Sequence, residues 1–311
     1  MNNYISSPTS TLSILKKNNI ILKKTLGQNF LVDTNILKKI VRASGTTEED
    51  TVLEIGSGIG SLTEILAQTA KKVICIEIDS KLVNAFNENF SEPSRAPFKE
   101  KIIIINEDAM KTDFERLNEQ NRLTRVVSNL PYKVAAPLII KILVQLPGLK
   151  NMLLTIQKDI AERLLSKPGD KYYSSYCVKA NYLADFKILF AVPRNCFLPA
   201  PNIDSVVVEV TPKNISCSKI GTERLDKFLS FIEHCFIHRR KKLINSLEAA
   251  FKAPFLTKSH LNDYIDKKDL IVKMLHGIGK GADIRAEHLS LKDFEKLFLS
   301  IYSIPDIPEK K

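Results

Sequence analysis

The sequence predicts an α/β fold in which a doubly wound, mostly parallel sheet of seven strands is followed by a smaller, all-helical C-terminal domain. Three observations predict it. Apolar, strand-like runs alternate with helix-like stretches through the first two thirds of the chain. These runs are almost continuously apolar, as expected when helices cover both faces of a parallel sheet. After about residue 222, only helical periodicity remains.

The predicted elements follow in order along the chain. Asp33 is expected to cap a first helix that ends near Gly45. Strands of the parallel sheet are predicted at 51–55, 73–78, 102–105, 125–128 and 153–156. Helices are predicted between them at 62–68, 80–90, 113–119 and 137–146. Two further strands, at 186–190 and 206–210, are expected to form an antiparallel pair at the sheet edge.

Changes in composition divide the chain into three expected parts. The first 24 residues contain four lysines and no acidic residue, so residues 1–22 are expected to form a basic, mobile extension. Residues 23–213 are expected to form the sheet domain. The pattern changes after Pro212, and residues 214–311 are expected to form the helical domain.

The charge balance favours a polyanionic partner. The 311-residue chain carries a formal net charge of +11, which favours nucleic acid first and an anionic membrane surface second. The ordinary alternative is a solvated basic surface. No apolar run reaches the roughly 18 residues of a membrane-spanning helix, so no membrane span is expected. Five scattered cysteines without a Cys-x-x-Cys pair indicate reduced thiols and a cytoplasmic location.

A glycine-rich loop follows the first predicted strand. Gly56, Gly58 and Gly60 stand between strand 51–55 and the next helix, where glycines allow a sharp turn and the close approach of a ligand. A dinucleotide fingerprint would place its third glycine at position 61, which is Ser61 here. The spacing therefore favours a methyltransferase cofactor loop, and the ordinary alternative is a tight strand-to-helix turn.

Two acidic residues at neighbouring strand ends strengthen this interpretation. Glu77 ends the second strand, where a carboxylate can accept hydrogen bonds from both hydroxyl groups of a ribose. Asp108 follows the third strand, where it can accept from an adenine amino group. A glycine loop followed by acids at two successive strand ends predicts a nucleoside-bearing cofactor.

The stretch Asn129-Leu130-Pro131-Tyr132 ends the fourth predicted strand. A proline cannot continue a strand ladder, so the Leu130 carbonyl is expected to face open space beside the Asn129 amide and the Tyr132 ring. Two acceptors and a flat apolar face suit a planar base with an exocyclic amino group. Together with the glycine loop, they suggest methyl transfer from S-adenosylmethionine to the amino nitrogen of an adenine.

A second aromatic ring is expected at this centre. Phe197 begins the stretch Phe-Leu-Pro-Ala-Pro-Asn-Ile-Asp-Ser, and its ring is predicted to cover the face of the base opposite Tyr132. The ordinary alternative for Phe197 is a core position between the last two strands.

At this point the chain resembles a known family. The matching stretches are 26–31 (LGQNFL), 52–60 (VLEIGSGIG), 76–79 (IEID), 108–109 (DA), 129–132 (NLPY), 157–164 (QKDIAERL), 197–201 (FLPAP) and 239–243 (RRKKL). In order and spacing they are similar to those of the small-subunit ribosomal RNA adenine dimethyltransferases, over residues 23–303. Ser57 departs from this family, which often has proline there, and Asp159 stands where it often has glutamate.

The resemblance implies a fold, a reaction and further site residues. It implies a Rossmann-like methyltransferase domain that binds S-adenosylmethionine. It implies two methyl groups on each of two adjacent adenines near the 3′ end of small-subunit ribosomal RNA, added late in ribosome assembly. It also implies that Asn29 and Leu31 touch the cofactor, together with Gly56, Glu77, Asp108 and Asn129. No feature of the sequence demands more than a monomer.

A basic cluster in the C-terminal part is expected to contact RNA. Its members are Arg239, Arg240, Lys241 and Lys242. The sequence places them on a helix with a buried apolar face, where they would contact backbone phosphates; the ordinary alternative is a solvated helix face. His234 and His238 are one turn apart, but they lack a third ligand and no metal site is expected.

Three other functions remain as alternatives. A related enzyme that methylates large-subunit ribosomal RNA and confers antibiotic resistance would share the active site. A non-catalytic ribosome assembly factor would keep the fold without the chemistry. A nicotinamide-dependent dehydrogenase is disfavoured by Ser61 and by the lack of a histidine near a strand end.

Overall fold

A computed structural model describes residues 4–22, 27–250 and 267–302. Its strands are β1 (Phe30–Leu31), β2 (Thr51–Ile55), β3 (Lys72–Glu77), β4 (Ile102–Asn106), β5 (Arg125–Asn129), β6 (Asn151–Gln157), β7 (Ala184–Val192), β8 (Phe197–Leu198) and β9 (Ser205–Pro212). Its helices are α1 (Pro8–Lys17), α2 (Thr34–Ser44), α3 (Ser61–Thr69), α4 (Ser80–Ser91), α5 (Ala96–Lys99), α6 (Phe114–Asn121), α7 (Ala135–Gln145), α8 (Lys158–Leu164), α9 (Ser175–Leu183), α10 (Leu225–Cys235), α11 (Leu243–Ala250), α12 (Lys267–Gly277) and α13 (Leu291–Tyr302).

Seven strands form one sheet in the order β4-β3-β2-β5-β6-β9-β7. The five strands from β2 to β6 run parallel, and β9 pairs antiparallel with both β6 and β7. The predicted seven-stranded sheet with an antiparallel pair at one edge is therefore confirmed. The chain moves to one side of β2 for β3 and β4, and to the other side for β5 and β6. Ligands of doubly wound sheets bind at such a switch point, beyond the carboxyl ends of the strands.

The chain divides into two compact units. The first comprises Met1–Ala161 and Ala184–Pro212, and the second comprises Glu162–Leu183 and Lys213–Lys311. This division differs from the expected boundary at residue 213, because Glu162–Leu183 belongs with the C-terminal helices. Two contacts within the second unit show why. The ring of Tyr182 packs edge-on against that of Phe228, and the Tyr173 hydroxyl donates to the Leu289 carbonyl at 2.8 Å.

The N-terminal segment is an ordered part of the first unit. α1 starts at a Ser7 cap, and its N-terminal neighbour Ile5 is fully buried. The Ile5 N–H donates to Oε2 of Glu64 on α3 at 2.9 Å, and Oε1 of Glu64 accepts from Nε of Arg95 at 2.8 Å. Residues 4–22 therefore differ from the mobile extension expected over 1–22. Residues 1–3 lie outside the described residues.

A buried carboxylate joins the amino ends of three central strands. Asp50 precedes β2 and accepts from Nε of Arg125 at 2.9 Å and from Nζ of Lys150 at 2.7 Å. Burial acts to raise the pKa of Asp50, but hydrogen bonds from Lys150, Thr47, Arg125 and Thr124 outweigh burial and hold this pKa well below its usual range. This network lies at the sheet edge opposite the glycine loop and is structural.

The second unit is helical, and its core is aromatic. Phe228 and Phe231 on α10 pack against Phe298 on α13, with ring centroids 5.1 and 5.6 Å apart. Ser290 and Asp293 form a reciprocal cap at the start of α13. In neither unit do the described residues include a helix with the length and apolar composition of a membrane crossing.

Candidate active site

One cavity of about 280 Å³ lies at the carboxyl ends of β2 to β5. Ten of the predicted site residues line it, namely Asn29, Leu31, Gly56, Gly58, Glu77, Asp108, Asn129, Leu130, Pro131 and Tyr132. They come from widely separated stretches of the sequence. Parallel strands end at the same edge of the sheet, so the residues that follow these strands converge there.

The glycine loop uses backbone conformations that favour glycine. Gly56, Gly58 and Gly60 have φ angles of +74°, +58° and +94°. A Cβ atom on Gly58 would lie 2.7 Å from Cε1 of Phe30, which is closer than carbon atoms approach. The loop therefore packs directly against the segment that carries Asn29, and α3 starts from it with Gly60 as its N-cap.

Glu77 is held by the backbone around it. Its Oε2 accepts from the Gly58 N–H and its Oε1 from the Asp79 N–H, both at 2.9 Å. Burial raises the pKa of Glu77, while these N–H groups lower it and so partly offset the effect of burial. A carboxylate oxygen accepts more than one hydrogen bond, so each oxygen can also accept from a ligand hydroxyl group.

Asp108 lies in a tight turn that follows β4. Its Oδ1 accepts from the Met110 N–H at 2.9 Å, and its carbonyl accepts from the N–H groups of Lys111 and Thr112 at 2.7 and 3.0 Å. These bonds fix the direction of the Asp108 side chain at the cavity wall.

Asn129 joins the two halves of the cavity. Its Nδ2 donates to the Asn29 carbonyl at 3.1 Å, which sets the orientation of the amide. Its Oδ1 is buried and has no hydrogen-bond partner within the described part of the chain. A buried acceptor without a donor costs about 1–3 kcal/mol, so this atom fits a ligand that brings an N–H group.

Tyr132 is anchored at its hydroxyl end. The hydroxyl group is 2.9 Å from Oγ of Ser205 on β9. Burial raises the pKa of the Tyr132 hydroxyl, and the hydrogen bond with Ser205 lowers it less than burial raises it. The phenol is therefore neutral at physiological pH, and its ring stands at the cavity wall as a flat apolar surface.

Phe197 does not line the cavity. Its side chain is 3% exposed and belongs to the hydrophobic core of the first unit, with Phe30 and Leu31. The reason is the short antiparallel pair of β1 and β8, in which Phe197 lies opposite Leu31. The expectation that Phe197 covers the second face of the base is therefore corrected, and the core position is the one observed.

The basic cluster is not on a helix. α10 ends at Cys235, where the backbone N–H of Phe236 caps the last carbonyls, and α11 begins only at Leu243. Residues 236–241 form turns between them. Arg240, Lys241 and Lys242 lie at the surface of this connection, and Lys242 pairs with Asp283.

The guanidinium group of Arg239 forms hydrogen bonds within the second unit. Its Nε donates to Oε2 of Glu287 at 2.9 Å, and its Nη2 donates to the Lys171 carbonyl at 2.6 Å. Arg240 and Lys241 are therefore better placed than Arg239 to meet phosphates.

Sequence reasoning missed several residues of the cavity wall, among them Gln28, Glu54 and Lys133. Glu54 carried a signal, because it is a carboxyl group inside the otherwise apolar strand β2. Burial raises the pKa of Glu54 to about 8, against a smaller lowering by the hydrogen bond from Thr63. In the described residues, no three His, Cys, Asp or Glu side chains are grouped to hold a metal ion.

Comparison with known proteins identifies the family. The model of the family described as ribosomal RNA adenine dimethylase matches residues 19–277. A protein of Bacillus pumilus (strain SAFR-032), named ribosomal RNA small subunit methyltransferase A, is 36% identical over 301 residues, which are 96% of this chain and 97% of that protein. A protein of the same name from Geobacillus thermodenitrificans (strain NG80-2) is 36% identical over 303 residues, with the same coverage.

Solved structures share the fold. A dimethyladenosine transferase from Plasmodium falciparum has a TM-score of 0.69 at 28% identity, covering 87% of this chain and 96% of that one. The 23S rRNA methyltransferase ErmE has a TM-score of 0.58 at 21% identity, covering 88% and 99%, and its likeness shows the fold alone. By sequence and by structure, the chain belongs to the ribosomal RNA adenine dimethylase family.

Proposed function

We propose that this chain transfers methyl groups from S-adenosylmethionine to the N6 amino group of two adjacent adenosines near the 3′ end of small-subunit ribosomal RNA, giving dimethyladenosine. One observation carries the proposal. The Asn129–Tyr132 stretch and the glycine loop open on the same cavity, and the acceptor oxygen of Asn129 lacks a donor among the described residues. Membership of the family and the names of the relatives support the same reaction.

The cofactor fits the residues of the cavity. Gly56 and Gly58 leave room for a ligand to approach the backbone, Glu77 offers carboxylate oxygens to ribose hydroxyls, and Asp108 can accept from an adenine amino group. Asn29 and Leu31 complete the wall on the other side. S-adenosylmethionine supplies a methyl group on a positively charged sulfur atom, which makes the methyl carbon open to attack by an amine.

Asn129 and Leu130 prepare the attacking nitrogen. The amino group of adenine is a poor nucleophile because its lone pair is delocalised into the ring. Hydrogen bonds from its two N–H groups to Oδ1 of Asn129 and to the Leu130 carbonyl favour a pyramidal nitrogen with a localised lone pair. Correct placement of two reactants can supply about 7–11 kcal/mol of the barrier. The methylated amine is acidic and loses its proton without a strong base.

Tyr132 gives the base a surface on which to stack. Base–aromatic stacking contributes about 1–3 kcal/mol per base. The bond between the Tyr132 hydroxyl and Ser205 fixes the ring before the base arrives. The buried position of Phe197 leaves Tyr132 as the aromatic platform of this proposal.

The substrate is small-subunit ribosomal RNA within an assembly intermediate, on which the chain acts as a monomer in the cytoplasm. The net charge of +11 favours a polyanionic partner. Arg240 and Lys241 lie in the turn between α10 and α11 and suit backbone phosphates. The five cysteines are all free, which fits a reducing compartment.

A methyl-transfer assay tests the proposal. The protein is incubated with labelled S-adenosylmethionine and either small or large ribosomal particles that lack the modification. Label is expected only in small-subunit RNA, and mass spectrometry of the digested RNA is expected to show N6,N6-dimethyladenosine.

Each other outcome points to a different function. Label confined to large-subunit RNA would identify the related enzyme of antibiotic resistance. Binding to small particles without any transfer, together with no heat of binding for S-adenosylmethionine in calorimetry, would identify a non-catalytic assembly factor.

A further inference from the structure

The geometry points to Lys141 as a positioning residue that holds Asp108 at the cofactor side of the cavity and ties it to the helix that follows the Asn129–Tyr132 stretch. This inference rests on the proposed function, because it concerns affinity for the cofactor.

Three backbone carbonyls converge on one ammonium group. Nζ of Lys141 donates to the carbonyl oxygens of Ala109 at 3.3 Å, Met110 at 2.8 Å and Thr112 at 2.6 Å. An ammonium group has three donors and no acceptor. The three donors of Lys141 are therefore all used, and all three acceptors lie in the turn that begins at Asp108.

The turn needs such a cation. Its conformation aims three carbonyl dipoles at the same point, and without a positive charge those dipoles repel one another. The Asp108 carbonyl faces elsewhere, because it accepts from the N–H groups of Lys111 and Thr112. Removing the ammonium group would leave the carbonyls of Ala109, Met110 and Thr112 without this donor, and the turn would relax to separate them. Asp108 would move with it.

Lys141 lies on α7, so its contact links the Asp108 turn to the helix that follows the Asn129–Tyr132 stretch. α7 is otherwise apolar around this point, with Leu138, Ile139 and Ile142 fully buried. It starts at Ala135, three residues after Tyr132, and Lys141 lies less than two turns further on.

α7 makes a second contact, with Phe114 at the start of α6. The Phe114 N–H donates to Oε1 of Gln145 on α7 at 3.3 Å, and Nζ of Lys141 lies 5.1 Å from the centre of the Phe114 ring. One helix therefore contacts both the turn that carries Asp108 and the first residue of α6, and the same helix begins three residues after Tyr132.

Calorimetry with S-adenosylhomocysteine, the unreactive product, tests this role. Lys141→Met is expected to raise its Kd about tenfold, the order of one missing charge-assisted hydrogen bond. Lys141→Arg, which keeps the charge, is expected to recover part of the affinity. In steady-state assays with ribosomal particles, KM for S-adenosylmethionine is expected to rise while kcat changes much less, because Asn129 and Tyr132 are untouched.

Lys150→Met is the matched control. Lys150 also donates from its ammonium group to a buried acceptor of the first unit, but that acceptor is Asp50, at the opposite sheet edge. That variant is expected to lower the melting temperature and to leave the Kd within about twofold of the wild type, as distant sites behave independently. A loss of stability is thereby separated from a loss of cofactor affinity.

A double-mutant cycle with Asp108→Asn decides whether Lys141 acts through Asp108. The effects of the two substitutions on the Kd are expected to be less than additive, since the second cannot misplace a carboxylate that is already removed. Full additivity, or a wild-type Kd in folded Lys141→Met, would overturn the inference. Failure of the wild-type chain to bind S-adenosylhomocysteine would instead reject the proposed function.

Discussion

The side-chain Nδ2 of Asn129 donates a hydrogen bond to the backbone carbonyl of Asn29 at 3.1 Å. Two residues that lie 100 positions apart in the sequence are joined by this bond across the cavity. With Nδ2 committed to Asn29, only Oδ1 of Asn129 is left for a ligand. An amide held in this way can accept but cannot rotate freely, which suits a group that must grip an amino nitrogen in one orientation.

Replacing Asn129 separates chemistry from binding. Asn129→Ala is expected to lower the methylation rate at least about 100-fold, comparable to loss of one donor or acceptor at a reacting centre, while RNA affinity stays close to that of the wild type. Single-turnover methylation and filter binding measure the two effects. Asn35→Ala, which changes an exposed asparagine in the first turn of α2, is the control. Retention of most of the rate in Asn129→Ala contradicts the assigned role.

The ring and the hydroxyl group of Tyr132 are expected to contribute unequally. Tyr132→Ala removes the stacking surface and is expected to weaken productive binding of the base by about 1–3 kcal/mol. Tyr132→Phe and Ser205→Ala each remove the same hydrogen bond and are expected to have similar, smaller effects on kcat. Rates of the three variants and of the double variant Tyr132→Phe/Ser205→Ala measure this. Equal losses for Tyr132→Phe and Tyr132→Ala argue against stacking.

Two members of the basic cluster are expected to carry the salt dependence of RNA binding. Replacement of both Arg240 and Lys241 by alanine is expected to weaken binding. The slope of log K against log salt is expected to become shallower by about one unit for each phosphate that is no longer neutralised. Titrations at several salt concentrations give the slope.

Arg239→Ala is the informative comparison for that experiment. Arg239 is bonded to Glu287 and to the Lys171 carbonyl, so its loss is expected to lower the melting temperature while the salt slope changes less. A larger change of slope for Arg239→Ala than for the double variant reverses this assignment.

Gly58 is expected to tolerate no side chain. Its φ of +58° is unfavourable for alanine. An added Cβ atom would also lie only 2.7 Å from Cε1 of Phe30, which is a steric clash. A non-glycine residue in the left-handed region costs about 1–2 kcal/mol, and displacement of Phe30 disturbs the wall beside Asn29. Gly58→Ala is therefore expected to lower both stability and affinity for S-adenosylhomocysteine, as measured by thermal unfolding and calorimetry. At Gly148, a Cβ would meet nothing within 4 Å, so Gly148→Ala serves as the control.

The buried Glu54 carboxyl makes stability depend on pH. Burial raises its pKa from 4.5 to about 8, so the folded chain keeps a proton that the unfolded chain releases above about pH 4.5. Between these two pKa values the folded state binds more protons than the unfolded state. The free energy of unfolding therefore falls as pH rises through this range, by at most about 1.4 kcal/mol per pH unit. Below about pH 4.5 the contribution of Glu54 to the free energy of unfolding is fully present.

Glu54→Gln removes the titrating group. The difference in unfolding free energy between the variant and the wild type is expected to shift in favour of the variant from about pH 5 to about pH 8, in urea titrations at each pH. Glu49→Gln, at an exposed position, is the control. A difference that stays constant with pH shows that Glu54 is ionised throughout.

The sequence predicted the sheet well because its strands are short, apolar and buried on both faces. The strand predicted at 51–55 matches β2, and the one at 186–190 lies inside β7 (Ala184–Val192). The grouping of the candidate site residues around one cavity was predictable for a related reason, since residues that follow parallel strands meet at one edge of the sheet.

Long-range packing accounts for what the sequence did not reveal. α1 was missed because its burial depends on Glu64 and the core of the first unit, although Ser7 followed by Pro8 was a usable start signal. The basic cluster was placed on a helix because periodicity does not show that α10 ends at Cys235. Lys141 carried a signal as the one charged residue of the apolar helix α7, but its three acceptors lie in another loop.

The short pairing of β1 with β8 joins the cavity wall at Leu31 to the proline-rich stretch that includes Phe197. Backbone hydrogen bonds hold Leu31 opposite Phe197, so neither segment can shift by itself without breaking that pairing. A displacement of the stretch after Phe197 is therefore expected to move the cavity wall at Leu31, and a displacement of Leu31 is expected to move that stretch. Such coupling is reciprocal by thermodynamic necessity: a ligand on one side that changes the affinity for a ligand on the other side has its own affinity changed by the same factor.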